Sequence, residues 1–111
     1  MRKREKRQVL KLLANARKLI NKRSRWTQFH EVDIGSDDGE TKYCLVGAIN
    51  RTYYDMKCNE FVRMAAINYM RLIVNNHWLT TWNDNRKRTH RQVLGALDRT
   101  INKLKKELIS E

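Results

Sequence analysis

Apolar residues recur every three to four positions through most of the chain, which is the period of an α-helix with one buried side. Val9, Leu12, Leu13, Ala16, Leu19 and Ile20 fall on one arc of a helical wheel, and Arg4, Arg7, Lys11, Lys18, Lys22 and Arg25 fall on the opposite arc. The spacing predicts a first helix from about Lys3 to Arg25, roughly 30 Å long at about 1.5 Å per residue. A second helix is predicted from about Lys42 to Tyr53, with Leu45, Ala48, Ile49 and Thr52 inward. The third, from about Asn59 to Val74, is apolar nearly all round, with Phe61, Val62, Met64, Ala65, Ile67, Tyr69, Met70, Leu72, Ile73 and Val74. Such a helix is expected at the centre of a bundle. The last is announced by Thr89 and Gln92, a capping box in which each side chain satisfies the other residue's backbone N–H. Leu94, Leu97, Ile101, Leu104 and Leu108 form its inner stripe.

Between the first and second helices, Gly35-Ser36-Asp37-Asp38-Gly39 gathers turn formers that cannot bury an apolar face, and Phe29, Val32 and Ile34 alternate just before it. A long loop with a short extended piece is expected there. With no proline and four glycines in 111 residues, the reading is all-α: residues 1–111 as one domain, a bundle of about four helices with one long loop after the first.

Charge then narrows the class of partner. The formal net charge is +12, which favours a polyanionic partner, and charge alone does not choose among nucleic acid, DNA or RNA, an acidic host protein and an anionic membrane surface. Eleven of the first 25 residues are Lys or Arg against the single acid Glu5, whereas residues 26–60 hold seven acids and three basic residues. Residues 84–111 return to eight basic and four acidic, and Arg99, Lys103 and Lys106 make a second cationic patch. A run of charge is ordinarily a solvated face. Here six cations on one arc repel one another with almost no compensating acid, so a contact surface is the stronger reading. If the first and last helices pack side by side, their patches merge. Trp26 and Tyr53-Tyr54 could add stacking, although core or rim is the commoner fate of such aromatics.

The inner stripe of the first helix lacks interfacial aromatics and is needed for the core, so no membrane partner is expected. Two cysteines with neither a secretory leader pattern nor a stretch of about 18 apolar residues point to the cytoplasm. Cys44 near a helix start could be a stabilised thiolate, but a small buried hydrophobe is favoured, with Gly47 admitting a neighbouring helix. His30, His77 and His90 lack metal-ligand spacing, and Asp33, Asp37, Asp38 and Glu40 miss the register of a calcium loop. Neither metal nor cofactor is expected. No catalytic residue can be assembled into a dyad, so an enzyme ranks below a binding protein. A pocket joining Cys44, Trp82 and Asp84 would reopen that question.

Two stretches carry a family resemblance: Tyr43-Cys44-Leu45-Val46-Gly47-Ala48-Ile49-Asn50-Arg51, and Trp82-Asn83-Asp84 with Arg88-Thr89, Val93-Leu94 and Leu97-Asp98-Arg99. Over residues 43–101 the chain resembles a family of small helical proteins of unknown function from actinobacteria and their phages. Those proteins share an aromatic-Cys-Leu-x-Gly-Ala helix and a Trp-Asn-Asp…Arg-Thr motif. The resemblance implies a fold and no activity; phage origin, and a role as a phage accessory or anti-defence factor, follow by association alone. Asn85-Arg86-Lys87 replaces the family's Pro-Gly type turn, and the basic first helix is this chain's own. Trp82, Asn83, Asp84, Arg88 and Thr89 admit two roles: the lip of a pocket, with Asp84 holding Arg88, or a fold lock in which Trp82 fills the core and Asp84 favours the helix start. Capping chemistry explains the spacing unaided, which favours the lock.

Overall fold

The computed structural model describes residues 1–34 and 39–110. The predicted turn Gly35-Ser36-Asp37-Asp38 therefore lies outside the described residues. The elements run α1 (Lys3–Leu19), a single 3-10 turn (Arg23–Arg25), β1 (Val32–Asp33), β2 (Lys42–Tyr43), α2 (Leu45–Met56), α3 (Glu60–Val74), α4 (Leu79–Asn83) and α5 (His90–Ser110). The fold is all-α apart from the antiparallel pair β1–β2, in which Val32 faces Tyr43.

α1 forms the hub, packing on α2, α3 and α5. Val9, Leu12, Leu13, Ala16 and Ile20 are all fully buried, as the stripe predicts. The helix stops earlier than the charge pattern suggests. Ile20 leaves the helical region at φ −111° and ψ 24°, and its carbonyl is met by His90 Nε2 at 2.6 Å. A residue buried against α5 thus ends the helix while its last carbonyl finds a side-chain partner. At 17 residues, α1 spans roughly 25 Å.

α2 begins at Leu45 because Lys42 and Tyr43 are spent in β2, and Cys44 caps it: Gly47 N–H donates to Cys44 Sγ at 3.3 Å. Leu45, Ala48, Ile49 and Thr52 point inward as expected. Asn59 caps α3, accepting from Val62 N–H at 3.0 Å. Both α2 and α3 end without glycine, on left-handed Lys57 (φ 54°) and Asn75 (φ 52°). The capping box of α5 is present, with Gln92 N–H to Thr89 Oγ1 at 3.1 Å and Thr89 N–H to Gln92 Oε1 at 3.0 Å. The buried arc of α5 centres on Val93, Ala96, Leu97, Thr100 and Leu104, leaving Leu94 and Leu108 only half-buried. Thr100 is accommodated because its hydroxyl donates to Ala96 O at 2.8 Å.

α3 is not central. Val62, Ala66, Ile67 and Met70 are buried, but Phe61, Met64 and Leu72 are exposed. An all-round apolar helix here sits at the edge of the bundle with one apolar side facing out.

Candidate functional site

α1 and α5 lie side by side and antiparallel, tied at one end by Lys6 to Glu107 (3.5 Å) and at the other by Arg17 to Asp98 (2.6 Å). The outward side of α1 carries Arg4, Arg7, Lys11 and Lys18, all exposed, and none of them makes an ion pair with a described residue. Lys22 and Arg25 do not share that arc, because the helix has already ended. Lys22 is an exposed residue before the 3-10 turn, and Arg25 is half-buried near Glu40 at 3.9 Å.

Along α5, Arg99, Lys103 and Lys106 line a groove of about 630 Å³ with Asn102, Ser110 and Glu107, and α1 contributes Lys6 to its wall. The packing therefore joins the second patch to α1 through Lys6, a residue outside the predicted cationic arc. Glu107 is the one acid among these lining residues. It receives the Tyr69 hydroxyl at 3.0 Å as well as Lys6, and its Oε2 has no hydrogen-bond partner among the described residues.

Trp82, Asn83 and Asp84 stand at the end of α4. Asn83 is fully buried, and its side chain is saturated. Oδ1 accepts from Trp26 Nε1 (2.8 Å) and Leu45 N–H (3.2 Å), while Nδ2 donates to Thr27 O (3.2 Å) and Asp84 Oδ1 (3.0 Å). One side chain thereby pins the loop after α1 to the start of α2 and the end of α4. Asp84 neither pairs with Arg88 nor serves a helix start. Its Oδ1 accepts from Phe29 N–H at 2.8 Å, holding Phe29 at φ 68°. Arg88 instead donates to Trp82 O at 3.0 Å and lies over the Trp82 ring at 4.0 Å, where desolvation lowers its pKa. These contacts are those of a lock.

A cavity of about 270 Å³ beside this lock is lined by Phe29, His30, Glu31, Cys44, Val46, Thr80 and Asp84. It joins Cys44 to Asp84, but Trp82 is not part of its wall. Burial pushes the Cys44 thiol above its ordinary pKa, and the carboxylates of Asp84 and Glu31 push the same way, against the lowering hydrogen bonds from Gly47 and Val46. This corner offers a neutral thiol. Gly47 does admit a close neighbour, but that neighbour is loop backbone and not a helix: a Cβ there would lie 2.0 Å from Glu31 O.

Among the described residues, no group of three or more His, Cys, Asp or Glu is placed to hold a metal ion, and no helix is long and apolar enough to cross a membrane. Neither the curated proteins nor the solved structures hold a match to the chain. A family match does cover residues 4–103, so that the basic first helix lies almost wholly within it. By that match the chain belongs to the family of unknown function DUF6197.

Proposed function

We propose that the chain binds nucleic-acid phosphates, using the groove along α5 together with the outward side of α1. The observation that carries this reading is the gathering of Lys6, Arg99, Lys103 and Lys106 around one groove whose single acid is Glu107. Cations brought this close repel one another, and a row of phosphates relieves the repulsion while releasing condensed counterions. Arg4, Arg7, Lys11 and Lys18 extend the cationic area on the outward side of α1. Asn102 and Ser110 add hydrogen-bonding groups but no pattern that reads base edges, so contact falls chiefly on the backbone of the nucleic acid.

Fluorescence anisotropy with labelled single-stranded and duplex oligonucleotides over a salt series tests the reading. If six to eight phosphates are neutralised on a duplex, log affinity falls against log salt with a slope of about −5 to −7. Replacing Arg99, Lys103 and Lys106 by Glu is expected to weaken binding at least about tenfold, and so is replacing Arg7, Lys11 and Lys18. No binding at low salt would overturn the proposal and turn the search to an acidic protein surface.

A further inference from the structure

The outward side of α3 is an apolar feature that this reading leaves unused. Phe61, Met64, Ala65, Asn68 and Leu72 recur at three- and four-residue spacing and line, with Met1 and Tyr69, a hollow of about 250 Å³. Phe61 is 52 % exposed and Leu72 is 75 % exposed. An isolated exposed Leu is ordinary; a stripe that is apolar but for Asn68 along one helix marks an interaction surface.

We propose that this stripe is covered by a second copy of the chain, with the two α3 helices packed antiparallel about a two-fold axis. The stripe is self-complementary in that arrangement. Phe61 and Leu72 stand at opposite ends, about 16 Å apart at about 1.5 Å per residue, so each Phe61 meets the partner's Leu72, while Met64 and Ala65 meet the partner's Asn68. The charges match under the same operation. Glu60 and Arg71 flank the two ends on one side of the helix, which places each Glu60 opposite the partner's Arg71. Among the described residues Arg71 has no carboxylate partner: Nη1 donates to Asn68 Oδ1 at 3.0 Å, and Nε has no hydrogen-bond partner there. Glu60 is held by Arg63, yet a carboxylate has lone pairs enough for a second guanidinium.

One stripe with its flanking pair is a small interface, so the dimer belongs in the micromolar range. Tyr69 borders the apolar hollow and donates to Glu107 in the basic groove, so pairing through α3 sets one groove on each side of the two-fold axis.

Sedimentation of the nuclease-treated full chain over a concentration series tests the inference without any nucleic acid. The wild type is expected to pass from monomer to dimer, with the dimer held or strengthened by added salt because each copy carries +12. Phosphate binding responds to salt in the opposite sense, so the two proposals fail separately. Leu72→Glu, at an exposed position, is expected to remain monomeric. Glu60→Arg and Arg71→Glu should each weaken self-association about tenfold, and an equimolar mixture of the two should restore a heterodimer. Residues 11 positions apart on one helix cannot touch, so such rescue can arise only between chains. A wild type that stays monomeric to its solubility limit overturns the dimer, and a mixture that fails to rescue overturns the antiparallel pairing.

Discussion

Two glycines in helices make opposite demands on their surroundings. A Cβ at Gly47 would lie 2.0 Å from the Glu31 carbonyl oxygen, whereas one at Gly95 would meet nothing within 4 Å. Gly47→Ala must push the loop backbone aside and disturb Cys44 N–H to Glu31 O at 3.2 Å, a cost of about 2–3 kcal/mol. Gly95→Ala gains helix propensity unopposed, about 0.5–1 kcal/mol. Urea unfolding of the two variants should give shifts of opposite sign; a common sign would contradict the packing described. Cys44, one turn before Gly47, governs a pH effect. Its thiol is raised above the ordinary value of 9.0, so between the two values the folded chain holds a proton that the unfolded chain has lost. That contribution to stability is full below the ordinary thiol pKa and is lost as pH rises through the folded one. Cys44→Ser removes the titration and keeps an oxygen to cap Gly47, so it should decline less than the wild type between about pH 8 and about pH 10. Parallel declines would show that Cys44 ionises normally in the fold.

At the level of elements, the long connection after α1 is held by the end of α4. Asn83→Ala would strip an acceptor from Trp26 Nε1 and from Leu45 N–H and a donor from Thr27 O. With each buried unpaired group costing about 1–3 kcal/mol, the loss should be near 3 kcal/mol by urea unfolding, and Trp26 should move toward water in its fluorescence. A loss below about 1 kcal/mol would mean that water replaces Asn83 freely. Nothing in the Trp-Asn-Asp spacing discloses this tie, because its partners lie 38 to 57 residues away in sequence. What local pattern does disclose is the four long helices, whose apolar period survives many turns, and the Thr89 cap, whose two halves are three residues apart. α4 escapes notice because five residues make barely one turn. Lys22 and Arg25 sit on the right arc only of a helix that continues, and the buried Ile20 held at His90 is a tertiary reason for it to stop. The outward side of α3 escapes for a related cause: periodicity counts apolar side chains, not the neighbours available to cover them.

Over the whole molecule, one charge surplus sets two salt responses of opposite sign. The chain carries +12, and the ion pairs Arg17–Asp98, Arg51–Asp55 and Arg63–Glu60 each keep at least one solvent-exposed partner, so each contributes little. Folding brings Lys6, Arg99, Lys103 and Lys106 around a single groove, so self-repulsion is greater in the folded chain than in the expanded one. Salt shortens the Debye length to about 10 Å at about 0.1 M and about 3 Å at about 1 M, which screens the folded state more than the unfolded. Raising sodium chloride from about 0.02 M to about 0.3 M should therefore stabilise the free protein by about 1 kcal/mol, a rise of roughly 4 °C in Tm. With an oligonucleotide present, the same salt removes the ligand's stabilisation, since each released phosphate contact returns condensed counterions to the nucleic acid. Thermal scans with and without oligonucleotide should converge as salt rises, the free curve moving up and the bound curve moving down. Arg99, Lys103 and Lys106 changed together to Glu should flatten both curves, because the same cations cause the repulsion and the binding. If salt left the free protein unmoved, the groove cations would already be neutralised within the fold, and the phosphate reading would lose its physical basis.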